Sequence, residues 1–342
     1  MKRRRCIVQH KIVFVLMVAL TGMIAGAHAA WAEPTADEVL AAMNFSPADR
    51  QRILAGEMIS GDVRAVSDRD LSLSLAFIVK TSPDDLAKEV LNGLVSKSDD
   101  QLIARGTISQ PGSTEDFAGV KLVPGSSAVA KTYISSSGRD KLNLTTGEIA
   151  AFNALNSRGD PTQAVEQQLR TMLLARYQAY RSSGLAGIKP YDRGGKSSDP
   201  AADLRKASEA PVLKKFFPAV QKVLEGYPLA TVPGLKENFF WVNYKIDDLP
   251  TFAMTHQLLA TEGTARIVIQ RQFYVGRSYN AEQAIAGFFP VKQGTMVVYR
   301  NHTFTDQVSG FGSSSKQSIG RRVMGSTLKK LFEKARETAA KP

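Results

Sequence analysis

Residues 252–275, FAMTHQLLATEGTARIVIQRQFYV, decide the fold. Phe252, Met254, His256 and Leu258 share one side of a period-two pattern. Ala265, Ile267, Ile269, Arg271, Phe273 and Val275 share one side of the next. That period belongs to β-strands, whose successive side chains point to opposite faces. Glu262-Gly263 is too short a connection for a crossover, so the two strands run antiparallel.

Working outward, the pattern recurs at 239–246, and Asp247-Asp248-Leu249-Pro250 then turns the chain into 252–260. It recurs again at 294–308, where Met296, Val298, Arg300, His302 and Phe304 share a face. A short helix is expected between the last two strands, at 281–286. A final helix is expected over 315–339, with Val323, Leu328, Leu331 and Phe332 inward and Lys329, Lys330, Lys334 and Arg336 outward.

Earlier in the chain, Leu71, Leu73, Leu75, Phe77 and Val79 alternate with Ser72, Ser74, Ala76, Ile78 and Lys80, which predicts a half-buried strand. Ser82-Pro83-Asp84-Asp85 then starts a helix with a cap, a proline at its first position and two acids at the positive end of its dipole. Thr35 with Glu38 and Thr145 with Glu148 have capping-box spacing, and Ser46-Pro47 opens another short helix. Residues 96–140 read as strands and loops. Asp160-Pro161 opens what reads as the longest helix, and a further helix is expected over 211–224.

The N-terminus fits a secretory leader. Lys2, Arg3, Arg4, Arg5 and Lys11 precede an apolar run at 12–24, and small residues at Ala27, Ala29, Ala30 and Ala32 follow. The expectation is export to the periplasm with cleavage after Ala32. The single cysteine, Cys6, falls in that leader, so the remainder has no disulfide and no thiolate metal site. Only His256 and His302 lie beyond the leader, and no H-E-x-x-H pattern occurs, which argues against a zinc hydrolase. The formal charge is +12, of which the leader supplies five, so about +7 remains. That excess admits a peripheral contact with an anionic membrane surface, and export makes nucleic acid an improper partner.

Cofactor motifs are absent. Gly194-Gly195-Lys196-Ser197 lacks the preceding strand and the upstream glycine of a phosphate-cradling loop, and reads as a flexible loop. No G-x-S-x-G elbow occurs. His302, Asp306 and Ser313–Ser315 contain the residue types of a hydrolytic triad, without spacing that brings them together. Asp247-Asp248 reads as a turn rather than an acid–base pair.

The informative feature is the charge set into apolar strand rows. Arg271, Arg300, His302 and His256 interrupt faces that also carry Met254 and Phe273. A solid core takes an unpaired charge only at a large desolvation cost. A cavity takes it readily, because water or a ligand's polar head answers the charge. Inward charges also guard edge strands, and His256 reads equally as a satisfied core histidine. A second candidate is the stretch 309–322, SGFGSSSKQSIGRR. There Gly312, Ser313, Ser314 and Lys316 have the make-up of an anion site at a helix N-terminus, and equally of a turn and cap.

The order of elements resembles the helix-grip fold of START-like lipid-transfer and polyketide-cyclase-type domains. The segments that carry the resemblance are 77–92, FIVKTSPDDLAKEVLN, and the stretch from Gly294 through 318–336, SIGRRVMGSTLKKLFEKAR. It implies an α+β fold: a curved antiparallel sheet with a long C-terminal helix across a hydrophobic cavity. It divides the chain into a leader (1–32), N-terminal helices (33–56), sheet segments (57–144 and 226–342) and a helical insertion (145–225). It also implies a non-enzymatic protein that binds a hydrophobic small molecule or lipid, with Arg271, Arg300 and His302 meeting its polar head. A hydrolase on the same scaffold using His302 and Asp306, and an envelope interaction protein, are the alternatives.

Overall fold

The computed structural model describes residues 33–139, 141–155, 159–310 and 312–339. The leader expected at 1–32 lies outside them. In chain order the elements are α1 (Ala36–Ala42), α2 (Pro47–Leu54), β1 (Ile59–Asp62), β2 (Asp70–Val79), α3 (Pro83–Leu91), α4 (Leu94–Lys97) and β3 (Leu102–Ile108). Then come α5 (Ser126–Ile134), α6 (Thr146–Asn153), α7 (Thr162–Ser183), β4 (Tyr191–Asp192), β5 (Ser197–Ser198), α8 (Pro200–Ser208), α9 (Pro211–Phe216) and α10 (Pro218–Gly226). The chain closes with β6 (Lys236–Ile246), β7 (Leu249–Glu262), β8 (Ala265–Val275), β9 (Ala281–Val291), β10 (Gly294–Phe304) and α11 (Ser313–Ala339).

The fold is α+β. Eight strands form one antiparallel sheet in the order β1-β2-β10-β9-β8-β7-β6-β3, and the long α11 covers part of one face. Strands β6 to β10 follow one another as a meander, as the short turns require. At the β6–β7 turn Asp247 and Asp248 both have positive φ, 52° and 60°. That is the demand of a two-residue hairpin, and Asp meets it better than most residues.

Local signals place most helix starts. Thr35–Glu38 and Thr145–Glu148 form full capping boxes, and Ser46 and Ser82 cap helices that begin with proline. Pro218 divides the helix expected over 211–224 into α9 and α10, because proline cannot donate to the preceding turn. Among the described residues the longest helix is α11 with 27 residues, so the helix after Asp160-Pro161, α7 with 22, is not the longest as expected.

Two expectations are corrected. Residues 281–286 are strand, not helix: Ala281–Val291 pairs with β8 on one side and β10 on the other. Ala, Glu and Gln favour helix locally, but two ladders of backbone hydrogen bonds override that preference. Strand β2 is not half-buried, because its even-numbered Ser72, Ser74, Ala76 and Ile78 are buried as well.

Both corrections follow from the layering. Helices cover both faces of the sheet. On one face, α1, α2 and α5 to α10 pack against Phe239, Trp241, Met254, Ile267, Ile269 and Phe273. On the other, α3, α4 and α11 pack against Leu73, Phe77, Val268, Phe288, Val297 and Tyr299. The helical segment 145–225 is therefore a layer on the sheet, and from Glu33 onward the chain forms one compact unit. No helix among the described residues is long and apolar enough to cross a membrane.

Candidate functional site

The strand rows singled out by their charges share a face, except that a bulge after Gln272 turns Val275 to the other side, beside Ala253. Around Arg271 that face packs against α7, α8 and α10. Arg271 is 3% exposed. Its guanidinium donates to Gln283 Oε1 at 3.0 Å, Ser208 Oγ at 3.0 Å, the Leu224 carbonyl at 3.1 Å and Tyr180 Oη at 3.2 Å. The proton positions follow. Arg271 has only donors, so Tyr180 Oη accepts from it and donates to His256 Nδ1 at 3.0 Å. His256 then carries its proton on Nε2, 3.0 Å from Glu237 Oε1. Burial pushes the His256 pKa down to about 4, against the opposing pull of Glu237, so the ring is neutral at neutral pH. Tyr180 stacks on Phe273 at 4.1 Å, and His256 stacks on Phe239 at 4.3 Å. Met254 is buried in the same cluster. Arg271, His256, Phe273 and Met254 are thus brought together, but around a tyrosine of α7 rather than around a cavity.

The β10 pair has other partners. His302 Nδ1 lies 2.9 Å from Asp70 Oδ2, with both side chains buried. Asp306 is elsewhere, held by Arg193 at 3.0 Å, Arg69 at 3.4 Å and Ser198 at 3.1 Å. The constellation His302–Asp306 expected of a hydrolase therefore does not assemble. Arg300 borders a cleft of about 50 Å³ with Ile267, Phe289 and Val298, too small for anything but water. A crevice of about 360 Å³ reaches Phe273 beside α6 and α7; of its charged groups, Arg176 and Glu148 pair with each other and Lys189 is exposed.

The anion-site candidate reads as a turn and helix start. Gly310 and Gly312 have φ of 79° and 74°, Gly312 and Ser314 are exposed and Ser313 is partly so. Lys316 Nζ donates to the Ser309 carbonyl at 3.3 Å. Gly194-Gly195 forms the tight β4–β5 hairpin, and the neighbouring Arg193 ties this hairpin to Asp306, Asn143 and Asn280.

The cavity lies on the opposite face, beneath α11, α3 and α4. It has a volume of about 330 Å³ and is partly open to solvent. Its apolar wall includes Phe77, Leu86, Val90, Val268, Phe288 and Phe332. Phe332 packs on Tyr299 at 4.8 Å and Phe77 at 5.6 Å, which seats α11 over the sheet. Leu328 and Leu331 of α11 line the cavity as well, whereas Val323, expected inward, is 62% exposed. Arg336, expected outward, lines the cavity.

One end of this cavity is polar. Glu282 of β9 lines it beside Gln272 of β8, Thr303 and Tyr299 of β10, Tyr244 of β6 and Tyr279 of the β8–β9 turn. Tyr279 Oη donates to Gln272 Oε1 at 2.6 Å, and Asn301 Nδ2 donates to Tyr299 Oη at 3.0 Å. Glu282 itself is partly buried. Burial pushes its carboxyl up to about 7, against a hydrogen bond from Asn301. Burial likewise raises Asp99 at the cavity's flank.

None of the six residues drawn from the charged rows lines this cavity. The signal for the true lining is the opposite parity of the same strands: Val268, Gln270 and Gln272, then Glu282, Ala284 and Ala286, then Val297, Tyr299 and Thr303. Those rows mix polar and apolar residues, as a ligand wall does. Comparison of the chain with known protein families, with curated proteins and with solved structures found no match in any of the three.

Proposed function

We propose that this protein is an exported, non-enzymatic carrier or sensor that holds an apolar, lipid-like small molecule between its sheet and its C-terminal helix. The observation that carries this reading is the cavity of about 330 Å³ with an apolar body and one polar end. Binding pockets for small molecules have this size and this division of labour, with apolar walls for affinity and a few polar groups for orientation. The volume is about twice the roughly 150 Å³ of an apolar cavity that admits benzene. The position of α11 across the sheet, over the cavity, supports a ligand held beneath it, and the leader-like N-terminus supports work in the envelope.

The test is native mass spectrometry with solvent extraction, on full-length protein expressed in a host that exports it. The expected result is a stoichiometric apolar adduct and an N-terminus at Glu33. Ala284→Phe places a ring in the cavity and should abolish the adduct while leaving the circular dichroism spectrum unchanged. A bare mass with no uptake from a lipid panel overturns the reading.

A further inference from the structure

The polar end of the cavity narrows the chemistry of the ligand, an inference that rests on the reading above. Its charged group is a carboxyl, and among the described residues no Lys or Arg forms an ion pair with Glu282. The groups around Glu282 can be named element by element. Gln272 comes from β8, Tyr279 from the β8–β9 turn, Tyr244 from β6, and Tyr299, Asn301 and Thr303 from β10. Asp99 adds a second carboxyl from the turn between α4 and β3, and the three tyrosines all feel one or both acids.

Among the described residues no Lys or Arg lies close enough to pull the Glu282 carboxyl down. Lys334 of α11 pairs with Asp100. Arg105 of β3 lies 4.2 Å over the Phe240 ring and is absent from the lining. Arg336 of α11 borders the cavity, but it also touches a crevice with Ile78 and Lys80. Ile78 pairs with Met296 and Glu282 with Thr303, so the two ends are separated by about 23 Å of strand at roughly 3.3 Å per residue. A fatty acid's carboxylate would meet Glu282 as a like charge with no cation to offset it. A positively charged nitrogen would give Glu282 the partner it lacks, with tyrosine rings beside it to accept a cation.

We propose that the ligand is a cationic amphiphile: an alkyl tail under α11 and an ammonium head held by the Glu282 carboxylate. Because the free carboxyl ionises only near pH 7, binding of the ammonium requires ionised Glu282 and weakens as the pH falls. The expected loss is about tenfold between pH 8 and pH 6, the fraction ionised setting the apparent affinity.

The experiment is isothermal titration calorimetry of the full-length protein with decylamine, decanol and decanoate, each below its micelle concentration, at pH 8 and pH 6. Decylamine should bind at least tenfold more tightly than decanol at pH 8, lose about tenfold at pH 6, and lose its advantage in Glu282→Gln. Decanol affinity should not change with pH. If decanol or decanoate binds as well as decylamine, or the amine affinity ignores pH, the ammonium assignment is wrong while the cavity stands. If none of the three binds, the carrier reading falls with it. The wild-type pH comparison decides the matter even if Glu282→Gln fails to fold.

Discussion

Glu282→Gln should stabilise the protein, and only above the acidic range. The Glu282 carboxyl ionises at about 7 in the folded chain against an ordinary 4.5. Below 4.5 both folded and unfolded chains carry it neutral, and stability is full. As the pH rises, the unfolded chain ionises first, so folding loses stability until the native carboxyl ionises near 7. Each pH unit in that window is worth about 1.4 kcal/mol, which makes the cost about 3 kcal/mol at pH 8. Gln has the same shape and never ionises. Urea denaturation at pH 8 should therefore find the variant more stable by about 2–3 kcal/mol, with a gap under about 1 kcal/mol at pH 4.5. Two other groups titrate nearby. His256, neutral in the fold with a pKa of about 4, lowers stability as the pH falls below 6.5. Asp203, raised to about 6 by burial, acts in the same direction as Glu282. Both are present in wild type and variant, so the difference between the two isolates Glu282. An equal gap at pH 4.5 and pH 8 would refute the burial argument, and with it the claim that the cavity holds a strained carboxyl. A binding site that keeps a destabilising acid is the usual stability cost of function.

Two further substitutions separate structure from site. Arg271→Met removes a buried guanidinium, leaves the Leu224 carbonyl without its donor and leaves Gln283 Oε1 with only the Ser208 hydroxyl at 3.3 Å. It should cost about 1–3 kcal/mol in chemical denaturation while decylamine affinity of the folded fraction stays unchanged; lost affinity with unchanged stability would return Arg271 to the ligand. Asp248→Gly relieves a side chain held at φ 60° and should raise stability by up to about 1 kcal/mol, since the exposed Lys245–Asp248 pair it removes contributes little. A melting temperature that falls would mean the turn depends on that pair.

Punctuation and period made much of this fold legible. The capping residues Thr35, Ser46, Ser82 and Thr145 act within three residues of themselves, so their meaning is written locally. The alternation through 252–275 likewise gave two strands and their antiparallel sense. Strand β9 was not legible, because AEQAIA prefers helix and only its two neighbouring strands outweigh that. The partners of the buried charges were not legible either. Tyr180, Glu237 and Asp70 lie 76, 19 and 232 positions from the histidines they serve, and nothing local marks such pairs.

On β7, and on β8 as far as Arg271, the sequence by itself determined which residues share a strand face; the bulge beyond turns Val275 to the other side. Only the tertiary structure decided what covers each face. Alternation is a property of one extended chain, whereas the covering layer comes from segments far away: α7 to α10 on one side, α11 on the other. The richest apolar rows met the solid helical layer, where close packing gains most from apolar area and where Arg271 and His256 find protein partners. The mixed rows were left beneath α11, where an incomplete fit leaves room for a ligand. A charge in an apolar row therefore marked a buried network, and the carboxyl that faces the cavity stood one residue away, at Glu282 beside the core residue Gln283.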